Sequence, residues 1–191
     1  MTIANPIKRR WTSDEYYRMA ELGLFADQRV ELIEGEVLAM APQGSQHFTA
    51  ICLTHDVLRR IFAGDFVIRV QGPLAVSADS EPEPDLAVVP GRPRDYAGKK
   101  HPSTALLVIE ISDSTLDYDR VDKASLYASA GIADYWIVNL IDRRLEVHRR
   151  PVADSEARFG FSYSNIRIYS AGDKVNPLAV TGEISASELL P

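Results

Sequence analysis

Short apolar runs and one long amphipathic stretch divide the chain into predicted elements. Thr12-Ser13-Asp14-Glu15 has the Thr-x-x-Glu spacing of a capping box and predicts a helix start. Tyr16, Met19, Ala20 and Leu22 would line its inner face, and Gly23 would stop it. Arg29 to Ile33 and Glu36 to Met40 flank Glu34-Gly35, where the glycine permits a tight turn, so a hairpin is expected. Ser45 to Phe62 is the clearest helix. Phe48, Ile51, Cys52, His55, Leu58 and Phe62 fall close to one face, Ser45 would cap it, and Gly64 follows its end. Strands are expected at Phe66 to Val70 and at Pro73 to Ser77.

Two apolar runs dominate the middle. Asp85 to Val89 and Leu106 to Ser112 are short, β-branched and bounded by Gly, Pro or Ser, so both read as buried strands. Asp119 to Ala130 is Ala-rich and predicts a helix with Val121, Ala124, Leu126 and Tyr127 as contacts and Gly131 as its C′ residue. Tyr135 to Leu140 predicts a strand, and Leu145 to Arg149 another after a turn at Asp142-Arg143. From Pro151 the character changes. Phe161, Tyr163, Ile166, Ile168 and Tyr169 suggest a final meander, and Ser185 to Leu190 a short closing helix. Strand-helix alternation between antiparallel ends defines a mixed α/β or α+β sheet domain.

Composition narrows the class. A chain of 191 residues suits one domain, or one with a small appendage. At 46% hydrophobic and 25% charged residues it is ordinary globular material, large enough to need no staples. The single cysteine, Cys52, excludes an intramolecular disulfide and any multi-cysteine zinc site, and fits a reducing cytoplasm, the expected location. Cys52 and His55 are read as packing residues. Met1 to Arg10 has no apolar core of a signal peptide, and no run is long enough for a membrane span. A net charge of -6 argues against indiscriminate nucleic-acid binding. Arg59-Arg60, Arg92 to Arg94, Lys99-Lys100 and Arg143-Arg144 remain as local basic surfaces, each most simply a solvated cluster.

The candidate chemistry lies on the two central strands. Asp85, after Pro84, enters the first, and Glu110 sits near the exit of the second. If the strands are neighbours the carboxylates converge, and paired carboxylates suit a hard divalent cation. Lys123 follows on the predicted helix, and the Ile111 backbone carbonyl is a further candidate ligand. Each residue has a plainer reading. A Pro-Asp before a strand is often a turn with a solvated acid. Glu110 interrupts an apolar strand and needs a partner or a metal, so an ion pair with Lys123 or an arginine would also serve. Lys123 alone would be a surface helix lysine.

The order Pro-Asp, Glu, Lys resembles the PD-(D/E)XK nuclease superfamily. Glu81 to Asp85, Glu110 to Thr115, Asp119 to Lys123 and Gly131 to Val138 together look like the Uma-two family, described as restriction endonucleases, as does Glu31 to Glu36 followed by Met40-Ala41-Pro42. The resemblance runs from about Thr12 to Arg150. It implies a restriction-endonuclease-like core, a central mixed β-sheet flanked by helices, in one domain over 1–191. That domain divides into an N-terminal helix and hairpin (1–44), a core (45–150) and a C-terminal strand extension (151–191). It implies Mg²⁺ or Mn²⁺ on Asp85 and Glu110, with Lys123 at the attacking water or the phosphate. Most relatives of the superfamily carry that lysine two residues after the acid. Ser112 stands there, so the lysine has moved to the helix, a shift its long stem permits.

Superfamily members often add a carboxylate from an early element. Strand period places Glu34 and Glu36 on one face and Glu31 on the other, but the turn breaks the register. The resemblance favours Glu31 and Glu36. His47 is a further candidate, and a first-turn polar residue is an equal reading of it. Asn139 stands where many relatives have an acid, and Asp122 is positioned to compete for Lys123. The leading expectation is a metal-dependent DNA endonuclease. The alternatives are a non-catalytic nucleic-acid-binding or scaffold protein of the same fold, and a hydrolase of small phosphodiesters. A duplex cutter needs two sites, so a two-fold homodimer is expected, with Phe159 to Tyr169 as a candidate interface.

Overall fold

The computed structural model describes residues 7–98 and 100–191. Met1 to Pro6 of the polar N-terminus, and Lys99 of the Lys99-Lys100 pair, lie outside the described residues. A six-stranded sheet runs in the order β3 (Phe66–Val70), β4 (Leu86–Pro90), β5 (Leu107–Ser112), β6 (Asp134–Asn139), β7 (Arg144–Ala153), β8 (Phe161–Tyr169). Only β5 and β6 are parallel; the other neighbours are antiparallel. The parallel pair needs a crossover. It is supplied by α3 (Leu116–Tyr118), a π-helical turn (Asp119–Lys123) and α4 (Ala124–Ser129). This is a mixed α+β sheet flanked by helices.

The central strands are buried on both faces, which is why they read as unbroken apolar runs. Leu86, Val88, Ile109 and Trp136 face α2 (Ser45–Ile61), while Ala87, Val108, Tyr135 and Ile137 face α4. A third cluster joins Tyr16 of α1 (Ser13–Glu21) to Val30 and Leu32 of β1 (Val30–Ile33). The capping box at Thr12 and Glu15 is present. β1 and β2 (Glu36–Ala39) form the expected hairpin, with Glu34 and Gly35 both at positive φ, the twist-matched two-residue turn. Among the described residues, no helix is long and apolar enough to cross a membrane.

Several expectations need correction. Pro73 to Ser77 is not a strand: Leu74 and Ala75 donate to Pro82 and Pro102 in loops, so no ladder forms beside it. α1 ends at Glu21, leaving Ala20 and Leu22 in solvent. α2 presents Ala50, Ile51, Thr54, Val57 and Leu58 to the sheet, so Phe48 and Cys52 are exposed and His55 is only part-buried. Large side chains occur on two adjacent stripes of that helix, and Ile51, Leu58 and the following Phe62 are the expected contacts that stay buried. Gly44, not Ser45, holds its N-cap position. Val121 is exposed because it lies two residues from buried Asp119 and Lys123, on the opposite side of the helix.

Past residue 150, β7 continues to Ala153 and β8 pairs along it, completing the main sheet. Tyr163 of the aromatic tail is buried there, its hydroxyl donating to Ile132 O. β9 (Lys174–Val175) and β10 (Ile184–Ser185) form a small separate ladder, and a 3-10 helix at Ala186–Leu189 packs under α2.

His148 of β7 is 3% exposed between the rings of Tyr135 and Tyr163, and neither of its nitrogens has a hydrogen-bond partner among the described residues. Burial pushes its pKa down to about 4; Glu146 opposes that shift and Arg120 adds to it. The unfolded chain therefore binds a proton there that the fold excludes. The stability from neutral His148 is full above about pH 6.5 and is lost as pH falls toward 4, roughly 2 kcal/mol between pH 7 and 4.5. His148→Phe should flatten that acid limb in urea titrations at the two pH values. An unchanged limb would show that His148 is not the group responsible.

Candidate active site

The site is built where β4 begins and β5 ends. Antiparallel register sets Leu86 opposite Ile109, which puts Asp85 opposite Glu110. The two acids are cross-tied through the backbone. Asp85 N–H donates to Glu110 Oε2 at 3.2 Å, and Ile111 N–H donates to Asp85 Oδ2 at 2.9 Å. Both acids are buried.

Lys123 completes the group. It is 4% exposed, which excludes the surface-lysine reading. Its Nζ donates to Glu31 Oε2 at 2.6 Å and lies 3.5 Å from Glu110 Oε1. Strand alternation in β1 turns Val30 and Leu32 toward α1 and leaves Glu31 facing the cleft, where it also accepts from Glu83 N–H. Glu36 is not brought there; its carboxylate pairs with Lys8 at the surface. Asp122 does not compete for Lys123, because it pairs with Arg158. His47, in the first turn of α2, faces the site with Nε2 3.1 Å from Asp85 Oδ1. Ser112 shares the face of Glu110 but donates to Asp119 Oδ2 at 2.5 Å.

The cleft has a volume of about 300 Å³ and is walled by Met40 to Gln43 on one side and Asp113 to Thr115 on the other. Burial pushes the Glu110 carboxyl up to about 8, against the pull of Lys123. Burial also disfavours the Lys123 ammonium, but Glu110 and Glu31 outweigh it and the pKa is raised. Asp119 is pushed up to about 6 by burial, countered by the Ser112 and Thr115 hydroxyls. For His47, burial is outweighed by Asp85 and the pKa is raised.

Some residues at the site were not singled out from the sequence as site residues. Tyr127 donates to Glu110 Oε1 at 2.7 Å, and Asp119 lines the cleft. Asp119, Lys123 and Tyr127 recur every four residues, and that helical stripe was the available signal. Gln71 donates to Asp85 Oδ1 at 3.2 Å from a backbone held at positive φ. No local pattern announces it. Asn139 lies elsewhere, donating to Glu146 and Asp142 at the β6–β7 turn.

The arrangement belongs to the class of restriction-endonuclease-like folds: a mixed sheet whose central strands deliver two acids to one cleft. The chain belongs to the Uma2 family, described as "Putative restriction endonuclease", whose model matches residues 13–187. A crystal structure of "a putative nuclease belonging to DUF820 from Anabaena variabilis ATCC 29413" matches with a TM-score of 0.66, covering 96% of this chain and 97% of that chain. At 13% identity that likeness shows the fold. No curated protein matches the chain.

Proposed function

We propose that this protein is a metal-dependent endonuclease that hydrolyses phosphodiester bonds of DNA. The observation that carries the reading is the cross-tied Asp85–Glu110 pair with Lys123 enclosed between Glu110 and Glu31. Ion pairing alone needs one acid for one lysine. Here Asp85 is a further buried acid next to Glu110, whose one ion-pair partner among the described residues is His47.

The donor set fits a small hard cation. Asp85 and Glu110 offer carboxylate oxygens. An extended residue aims its N–H and C=O to the same side, so the Ile111 carbonyl faces the gap before β4. Among the described residues no three of His, Cys, Asp and Glu form a metal-binding cluster. Mg²⁺ commonly keeps several waters and takes only one or two carboxylates, so this donor set is sufficient. When bound, Mg²⁺ or Mn²⁺ would lower the pKa of a water and neutralise charge on the phosphate.

The chain's own groups do the positioning. Tyr127 orients Glu110, and Gln71 and His47 orient Asp85. Glu31 holds the Lys123 ammonium charged and fixed. An ammonium has three donors, and two of them face Glu31 and Glu110. The third is left for a water or a phosphate oxygen, where it would stabilise charge developing in the transition state.

Plasmid nicking tests the reading. Supercoiled DNA should be converted to open circles with Mg²⁺ or Mn²⁺, and not with EDTA. Folded protein that neither nicks nor binds Mn²⁺ would overturn it.

A further inference from the structure

The sheet carries a second charged feature, far from the cleft. A groove of about 320 Å³ at the β7–β8 edge is lined by Arg149, Arg150, Asn165 and Arg167 over Val147 and Leu178, with no carboxylate lining it among the described residues. The strand order places it beyond β6, away from β4 and β5. Arg149 is committed to Asp134, but Arg150 and Arg167 are exposed and make no ion pair among the described residues. In each of the basic clusters singled out from the sequence, one member is tied to an acid. Arg60 is tied to Glu188, Arg92 to Asp65, Lys100 to Asp14 and Arg144 to Glu146.

The groove has a structural cause. Neighbouring strand residues point to opposite faces, so Arg149 and Arg150 should diverge. Arg150 instead sits at φ 59, in the left-handed region. The alternation breaks there. Val147, opposite Arg167, packs in the core under α2, whereas Tyr163, opposite Pro151, packs in the core under α4. The break brings Arg150 into the same groove as Arg149 and Arg167. A non-glycine residue at positive φ is unfavourable and is often found where backbone strain serves a function.

We infer that this groove is a binding site for the phosphate backbone of a nucleic acid strand, separate from the cleft. Guanidinium forks match phosphate oxygens in geometry and charge. Arg150 lies three residues along β7 from Val147, the partner of Arg167, a separation of roughly 10 Å along the strand, while Arg149 stays tied to Asp134. That suits successive phosphates better than one small anion. On a chain of net charge -6, such a patch is a local exception, able to hold a polyanion that the bulk charge repels. The inference rests on the nuclease reading only for the identity of the polymer.

The test is fluorescence anisotropy of labelled single-stranded and duplex oligonucleotides in EDTA, across a salt series. The variant is Arg150→Asn with Arg167→Gln, since asparagine tolerates positive φ. It should weaken binding about tenfold at moderate salt and lower the salt slope by about two. Unchanged affinity and slope, or a wild type that binds no DNA, would overturn the inference. So would calorimetric binding of inorganic phosphate that the variant loses while DNA affinity stays the same, since the groove would then be a small-anion site. If the double variant does not fold, Arg167→Gln alone carries the test with a slope change of about one. Binding lost in the variant of a wild type that never nicks DNA would leave the groove standing and remove the nuclease reading.

Discussion

Lys123→Ala should reduce nicking on the order of a thousandfold or more and also destabilise the fold. The catalytic loss follows if the ammonium acts mainly in the transition state. The stability loss follows from burial: Glu31 and Glu110 would lose their cation, and breaking a buried pair costs roughly 3–5 kcal/mol. Mn²⁺ affinity should stay the same or tighten slightly, because a like charge leaves the site. Lys123→Met combined with Glu31→Gln separates the two effects. It should recover most of the stability and none of the nicking. Lys123→Arg should rescue poorly, since a planar guanidinium replaces a compact ammonium in an enclosed space. Nicking at the wild-type rate by the double variant would end the proposed role.

Asp85→Asn should abolish Mn²⁺ binding, by a hundredfold or more in affinity on the order expected for a lost carboxylate ligand, with a stability change within about 1 kcal/mol. The asparagine carbonyl can still accept from Ile111 N–H, so the tie to β5 survives. Calorimetry for the metal and urea unfolding for the fold would check both halves. Unchanged Mn²⁺ affinity would refute the ligand assignment. The wild type should show a matching pH dependence. Burial raises the Glu110 carboxyl pKa against the pull of Lys123, so protons and a divalent ion compete for that carboxylate. Mn²⁺ affinity should therefore rise as pH increases toward 8 and level off above it.

The centre of the sheet was largely legible because β4, β5 and β6 are buried on both faces and leave continuous apolar runs. Asp85 and Glu110 stood out for the same reason, being acids at the ends of such runs. The hairpin was legible through its turn, where Gly35 permits the required φ. Elements decided by tertiary contact were not. Pro73 to Ser77 has strand-like residues but no ladder beside it. The buried stripe of α2 depended on which of two apolar faces met the sheet. Glu31 and Glu36 looked alike as sequence; the β1–β2 register puts both on one face, but Glu36 sits beside the turn, opposite Ile33, and pairs there with Lys8. Gln71 depends on a backbone conformation that its own sequence does not call for.

The π-helical turn from Asp119 to Lys123 has a consequence for how this chain tolerates insertion and deletion. Its bond from Ala124 N–H to Asp119 O spans one residue more than an α-helix would, and the Tyr135 hydroxyl also donates to that carbonyl. The turn thus carries one surplus residue in the middle of the crossover, and Val121, 62% exposed, faces solvent within it. Removing a residue there would restore regular helical phase. It would also rotate everything before the turn by about 100° relative to everything after it. Asp119, tied to Ser112 at the end of β5, and Lys123, tied to Glu31, could then no longer keep both attachments. The crossover is therefore free to change its surface residues but not their number. Its length is set by the distance between two fixed side chains rather than by the helix itself.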